Sequence, residues 1–201
     1  MKMKPIFVFD AYKTLADCPD WDRIKETDPN VMELAKKWYA DRKTWNDAFL
    51  AKFDEYCAQG KIISHEIPGT RKVLEQLVGQ GALCVYSSAT EDSLPAMLEQ
   101  SGLIDLFPDR RLVIPASRIG NMPKTYPEAF RLLNEYLKRE GFEITTYTDD
   151  GADIIEAAIK SQAPIQRIYH LDRKAKGLAG PEQKDGYVRI ASLDQMLELR
   201  R

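Results

Sequence analysis

Short apolar runs rich in β-branched and aromatic residues alternate along the chain with amphipathic stretches. Continuous apolar strands are typical of a parallel sheet that helices cover on both faces. The pattern therefore predicts an α/β fold with a doubly wound, Rossmann-like core. The predicted strands are 5–10, 82–87, 111–115, 144–148, 165–170 and a weaker 187–190. The predicted helices are 69–80, 91–102, 126–140, 152–162 and 192–199.

The connection between the first strand and the first core helix is too long for a simple crossover, because a connection of this length usually carries structure of its own. Apolar residues recur there at helical spacing, at Val31, Leu34, Ala35 and Trp38 and again at Trp45, Phe49 and Phe53. Asp28 and Thr44 are suitable helix starts. We expect a small helical subdomain over 16–66, with Trp38, Trp45 and Phe49 in its core, and an α/β core formed by 1–15 and 67–201.

The overall charge of the chain narrows the class of partner. The formal net charge is −2, so no basic field favours nucleic acid or an anionic membrane.

The three cysteines form an odd set without metal-ligand spacing, which favours reduced thiols in a cytoplasmic protein. The apolar run before Asp10 is too short for a signal-peptide core, and no segment is long enough to span a bilayer. We expect a small-molecule substrate and a monomer or homodimer.

Polar residues follow the predicted strands where ligands bind in open parallel sheets, at the carboxyl ends. Asp10 ends the first strand and Lys124 precedes a helix, while the remaining candidates are Ser87, Ser88, Asp149, Asp150 and Asp153. A carboxylate can act as a nucleophile, and two carboxylates close together suit Mg²⁺. Lysine and hydroxyl groups can hold the oxygens of a transferring phosphoryl group.

Each of these residues also has an ordinary structural explanation. An aspartate at a strand end is commonly a turn residue, and acids at 149–153 would favour a helix start by capping and by the helix dipole. The order and spacing of the whole set therefore support the functional interpretation, and no single residue does.

This set of residues resembles the motifs of the haloacid dehalogenase (HAD) superfamily. The superfamily consists of hydrolases and contains many phosphatases. The first motif of that family is Asp-x-Asp-x-Thr after an apolar strand, and residues 10–14 read Asp-Ala-Tyr-Lys-Thr. Its second motif is a Ser or Thr ending a strand, which Ser87 matches. Its third is Lys-x-x-Pro-x-x-Phe, which 124–130 matches, and its fourth is Asp-x-x-x-Asp, which 149–153 matches.

The resemblance implies a role for each matched position. Asp10 would attack the substrate, and Ser87 and Lys124 would orient and neutralise the bound group. Asp149 or Asp150 would hold Mg²⁺ with Asp10, and Asp153 would support that site. The set also includes Thr14 as a catalytic residue, Ser88 and Arg42 as substrate-binding residues, and Tyr12 as a catalytic and metal-site residue. Residues 16–66 would be the helical cap of the family.

Two features of the motifs point to different branches of the family. Tyr12 stands where the phosphatases carry a second aspartate, and a phenol with a reference pKa of about 10 is a poor general base. The Asp-x-Tyr pattern resembles the 2-haloacid dehalogenases, whose halide leaving group needs no proton. The acidic fourth motif resembles the phosphatases, since the dehalogenases bind no metal and carry Ser and Asn there. Lys13 replaces the usual glycine.

Three functions therefore stay open. The leading hypothesis is a magnesium-dependent hydrolase of small phosphorylated metabolites that favours good leaving groups, such as acyl or aryl phosphates. The alternative is a metal-free 2-haloacid dehalogenase, with Arg23 or Arg42 available to bind a halide or carboxylate. The third is a binding or regulatory module that keeps the fold but has little catalytic activity.

Overall fold

The structure is a computed structural model that describes residues 2–40, 47–175 and 177–198. In this part of the chain the strands are β1 (Lys4–Phe9), β2 (Ala16–Asp17), β3 (His65–Glu66), β4 (Ala82–Ser87), β5 (Val113–Pro115), β6 (Phe142–Asp149), β7 (Arg167–Leu171), β8 (Glu182–Gln183) and β9 (Val188–Ile190). The helices are α1 (Pro19–Thr27), α2 (Pro29–Ala40), α3 (Asp47–Ala58), α4 (Thr70–Val78), α5 (Ser93–Gln100), α6 (Pro127–Arg139), α7 (Ala152–Lys160) and α8 (Gln195–Glu198).

The described strands form a seven-stranded sheet in the order β5-β4-β1-β6-β7-β9-β8, with β2 and β3 paired separately. β5, β4, β1, β6, β7 and β9 are parallel, each to its neighbour in this order. β8 lies at the edge and pairs antiparallel with β9. β1 lies at the centre, with β4 on one side and β6 on the other. This arrangement confirms the predicted α/β class and the mostly parallel, Rossmann-like sheet.

The two faces of β1 are buried in different cores, as alternation along a strand requires. Phe7 and Phe9 belong to a cluster that includes residues of α4, α5 and α8. Ile6 and Val8 belong to a second cluster that includes residues of α6 and α7. Helices therefore cover the sheet on both faces, which explains why the strand is apolar without interruption.

Three helices occupy the long connection between β1 and α4. α1 packs against α2, and α2 packs against α3. Asp28 marks the start of α2, because its Oδ1 accepts a hydrogen bond of 2.9 Å from the backbone N–H of Asn30. Trp21 packs against Phe49 and Phe53 with ring centroids 5.2 Å apart in each case. We call residues 16–66 the helical insertion; its role as a cap stays a prediction.

The sequence pattern missed some details of these elements. α1 had no predicted counterpart, and Thr44 and Trp45 lie outside the described residues. The strand predicted at 111–115 begins at Val113, since Arg110–Leu112 form a 3₁₀ turn in which Asp109 accepts a hydrogen bond from the backbone of Arg111. None of the described helices has the length and apolar character that crossing a bilayer demands.

Candidate active site

The carboxyl ends of three adjacent strands bring the predicted residues together. Asp10 directly follows β1, Ser87 ends β4 and Asp149 ends β6. The backbone N–H of Asp10 donates to the carbonyl of Thr148 at 2.9 Å, which ties the end of β1 to β6. Since neighbouring parallel strands end at one edge of the sheet, the side chains share one site.

A crevice of about 710 Å³ opens between this edge and the helical insertion. It brings together most of the candidate residues: its lining includes Asp10, Tyr12, Ser87, Ser88, Lys124, Asp149, Asp150 and Asp153. Thr14 is buried outside this lining, and its hydroxyl has no hydrogen-bond partner in the described part of the chain. Arg42 lies outside the described residues.

Lys124 joins the first and fourth motifs. Its Nζ lies 2.5 Å from Asp10 Oδ1 and 2.7 Å from Asp149 Oδ2, and all three side chains are buried. Burial alone would lower the pKa of Lys124, but the negative charges of Asp10 and Asp149 raise it above its ordinary value. Lys124 is therefore positively charged and offsets part of the charge of the two carboxylates.

The local charges also shift the pKa of Asp10. Burial raises that pKa to about 7; Lys124 opposes the shift, and the nearby charges of Asp149 and Asp150 add to it. Burial therefore outweighs the attraction of Lys124, and the ionised form of Asp10 is disfavoured in the absence of further positive charge.

Three of the acidic residues could hold a metal ion. Carboxylate oxygens of Asp10, Asp149 and Asp150 lie within 4.8 Å of one another, the single such group found among the described residues. Oxygen ligands of this kind suit Mg²⁺, and a bound cation would favour the ionised form of Asp10 that burial disfavours. Asp153 lies in the first turn of α7 and lines the crevice, but it does not belong to this group.

Tyr147 is a site residue that the sequence reasoning missed. Its buried hydroxyl donates a hydrogen bond of 2.5 Å to Asp149 Oδ2, while the backbone N–H of Gly151 donates to Oδ1 at 2.9 Å. Burial and the charges of Asp149 and Asp10 raise the pKa of Tyr147 well above its ordinary value, so it remains a donor. Its position two residues before Asp149 on β6 was the available signal, because such residues share one face of a strand.

The hydroxyl of Tyr12 points to a carboxylate of the helical insertion. It donates to Asp22 Oδ1 at 2.6 Å, Lys25 Nζ lies 2.7 Å from the same oxygen, and Lys13 pairs with Oδ2. Burial works against ionisation of Asp22, but hydrogen bonds from Lys13, Lys25 and Tyr12 lower its pKa to about 2. Burial and the hydrogen bond to Asp22 raise the pKa of Tyr12 above its ordinary value. Tyr12 therefore keeps its proton, and Asp22 is ionised.

The loop after Asp10 is held by an arginine from a distant part of the chain. Lys13 has a φ of 64°, a left-handed conformation that glycine adopts with less strain. Arg173 donates to the carbonyls of Lys13 and Thr14 at 3.0 Å each, and the backbone N–H of Lys13 donates to Ala16 at 2.8 Å. These bonds hold Lys13 in the left-handed conformation. The same conformation explains why the related motif usually has glycine at this position.

Comparison with known proteins supports the motif resemblance through structure alone. No protein-family model and no curated protein sequence matches the chain. An L-2-haloacid dehalogenase from Xanthobacter autotrophicus has a TM-score of 0.67 at 15% identity, over 98% of this chain and 98% of that chain. A HAD phosphatase from Thermococcus onnurineus has a TM-score of 0.68 at 17% identity, over 98% of this chain and 97% of that chain. The chain has the fold of the haloacid dehalogenase superfamily.

A further HAD-type neighbour carries a metal. The protein from Bacillus subtilis, solved bound to magnesium, has a TM-score of 0.65 at 14% identity, over 98% of this chain and 99% of that chain. HAD-fold neighbours thus include a dehalogenase, a phosphatase and a magnesium-bound protein. The fold is confirmed, and any function has to be argued from the side chains of this site.

Proposed function

We propose that this HAD-fold protein is a magnesium-dependent phosphatase of a small phosphorylated metabolite, with Asp10 as the nucleophile. The cluster of Asp10, Asp149 and Asp150 carries this proposal, because oxygens of these three carboxylates lie within 4.8 Å of one another. Such a cluster complements a hard divalent cation. The magnesium in the HAD-type protein from Bacillus subtilis is consistent with the same choice.

The side chains of the site can perform the reaction in two steps. A carboxylate oxygen of Asp10 attacks phosphorus, and the bond from phosphorus to the leaving oxygen breaks with its electron pair on that oxygen. Water then attacks the aspartyl phosphate, which releases inorganic phosphate and restores the carboxylate. Mg²⁺ held by Asp10, Asp149 and Asp150 would supply positive charge that offsets the negative charge of the phosphoryl group.

Other residues of the crevice would bind and orient the phosphoryl group. The hydroxyls of Ser87 and Ser88 line the crevice and would donate hydrogen bonds to phosphoryl oxygens. Lys124 would favour the ionised form of Asp10 that attacks, because its contact with Oδ1 opposes the effect of burial on the pKa of Asp10. We assign the helical insertion the role of a cap over this site, and Arg42 the role of a further substrate contact. The net charge of −2 favours a small-molecule substrate over nucleic acid or an anionic membrane.

Tyr12 favours a second candidate, a metal-free 2-haloacid dehalogenase. In that reaction Asp10 displaces halide from carbon to form an ester, which water hydrolyses. Tyr12 matches the dehalogenase pattern, and the chain has an L-2-haloacid dehalogenase among its structural neighbours. Arg23 is a poor halide ligand here, since it pairs with Asp20 and lies outside the crevice lining. Lys13 and Lys25 line the crevice instead.

The decisive experiment measures two products from one purified protein. Release of phosphate from acetyl phosphate and 4-nitrophenyl phosphate is followed with Mg²⁺ and with excess chelator, and halide release from 2-chloropropionate is followed with chelator. We expect phosphate release that needs Mg²⁺ and disappears in Asp10→Asn. Halide release in chelator would establish the second candidate. Neither product, from a protein that still binds Mg²⁺, would contradict both and favour the binding module.

A further inference from the structure

Part of the crevice lining is apolar. α1–α3 contribute Trp21, Trp38, Phe49, Leu50 and Phe53, and α5 contributes Met97. We call these six residues the aromatic wall. Trp38 stacks on Phe49 at a centroid distance of 5.7 Å with 26° between the ring planes. Both Trp21 and Phe49 are nearly fully buried, so this part of the lining is tightly packed and exposes only a small area to the crevice.

The charged side chains beside the aromatic wall are bonded to one another. Asp22 accepts from Tyr12 and pairs with Lys25 at 2.7 Å and with Lys13. A leaving group rich in hydroxyls would have to compete with these bonds or leave some of its own polar groups unpaired, which is unfavourable where the site is partly buried. An apolar group needs neither change and gains from leaving water.

The size of the crevice also fits a ring-sized substituent. A volume of about 710 Å³ lies within the range of about 300–1,000 Å³ that is usual for small-molecule sites. A phosphoryl group at Asp10, Ser87 and Lys124 would occupy the polar floor. The remaining space is then bounded by the aromatic wall and by the charged side chains beside it.

We infer that the substrate is a phosphate monoester of an apolar phenol, whose ring lies against the aromatic wall. The inference rests on the proposed phosphatase function and adds the substrate class to it. Asp10 takes the phosphoryl group, the bond from phosphorus to the aryl oxygen breaks, and the phenolate leaves with the electron pair. The phenolate takes its proton later from water. No proton from Tyr12 is needed, since the hydroxyl of Tyr12 donates its hydrogen bond to Asp22.

Three aryl phosphates separate ring recognition from leaving-group chemistry. Phenyl, 2-naphthyl and 4-(hydroxymethyl)phenyl phosphate release phenols of similar acidity but differ in apolar surface. We expect kcat/KM for the naphthyl ester to exceed that for the hydroxymethyl ester by about 10-fold or more, since small apolar differences have such effects in hydrophobic pockets. Equal kcat/KM values for the three esters would overturn the inference.

Two matched substitutions locate the effect. Leu50→Asn places an amide on the aromatic wall and should reduce the naphthyl preference towards one. Leu34→Asn makes the same change at a partly buried residue of α2 outside the crevice lining and should preserve the preference. Circular dichroism and thermal unfolding show whether each variant folds; Trp38→Leu, a milder change of the same wall, replaces Leu50→Asn if that variant is unfolded. A preference unchanged in a folded wall variant would contradict the inference.

Binding without turnover distinguishes this inference from the proposed function. Calorimetric titration with 2-naphthol measures ring binding in the absence of any phosphate. Naphthol binding that Leu50→Asn weakens, in a protein that hydrolyses no phosphate ester, would contradict the phosphatase proposal and leave the aromatic site standing. Phosphate hydrolysis without naphthol binding, and without a naphthyl preference, would contradict only the aromatic site.

Discussion

The ammonium of Lys124 lies 2.5 Å from the carboxylate of Asp10, although 114 residues separate them in the chain. Both side chains are buried, and the same ammonium contacts Asp149 at 2.7 Å. The loop before α6 is thereby tied to the ends of β1 and β6. This pairing gives Lys124 a role in stability in addition to the catalytic role that we propose for it.

Lys124→Met should test that dual role. The methionine keeps an unbranched stem but leaves two buried carboxylates without their cation. Because breaking a buried ion pair leaves an uncompensated charge, we expect the free energy of unfolding to fall by about 3–5 kcal/mol and turnover to be lost. Chemical denaturation at neutral pH measures the change, and the exposed Lys72→Met on α4 is the control. A loss no larger than that of the control would show that the pair does not stabilise the fold.

Asp150→Asn should weaken magnesium binding. Asp150 belongs to the group of three close carboxylates, so its neutralisation removes both a ligand and a charge. We expect the Kd for Mg²⁺ to rise by about 10-fold or more in isothermal titration, an effect of the size seen when metal sites lose supporting groups. Asp153→Asn removes the same charge from outside the group and should have the smaller effect. The reverse ranking would place the metal nearer α7.

Tyr12→Asp should broaden the range of leaving groups. General acid–base catalysis typically raises the rate by about 10²–10⁴-fold. Tyr12 should contribute little of this increase, because its hydroxyl donates its hydrogen bond to Asp22. The substitution should therefore raise turnover of alkyl phosphates far more than that of aryl phosphates. Tyr12→Phe, which adds no acid, should keep the aryl-to-alkyl ratio of the original protein. Metal affinity is measured beside it, since the new carboxylate also adds charge near the site.

A wild-type protein that cleaves alkyl and aryl phosphates equally fast, with chemistry limiting the rate, would contradict this assignment. Another residue would then already act as the acid, and we would look for it in the helical insertion, between Asp17 and His65.

The three cysteines should react slowly in the folded protein. All are free thiols, and burial raises the pKa of Cys18 to about 11, that of Cys57 to about 12 and that of Cys84 further still. Because the thiolate is the reactive form, about one Cys18 in 10³ is reactive at pH 8. Iodoacetamide with mass spectrometry should show little labelling in the native state, more as the pH approaches 11, and full labelling in denaturant. Native labelling at the denatured rate would contradict this.

The order of the motifs was enough to predict the floor of the site. β1, β4 and β6 are apolar runs that end at Asp10, Ser87 and Asp149, and parallel strands end at one edge of their sheet. The limits of shorter elements were less accurate. The run at 111–115 suits a strand by composition, but Asp109 holds its first part in a 3₁₀ turn.

The amino-acid sequence by itself determined the class of fold and the residues at the strand ends, because hydrophobic period and chain order are local properties. Only the tertiary structure decided that the hydroxyl of Tyr12 is bonded to Asp22 and that Phe49 faces both the core of the helical insertion and the crevice. Helical spacing shows which side of a helix is apolar but not what that side meets. The packing of α1–α3 over the end of the sheet settles that question, because contacts between segments distant in the chain leave no periodic signal.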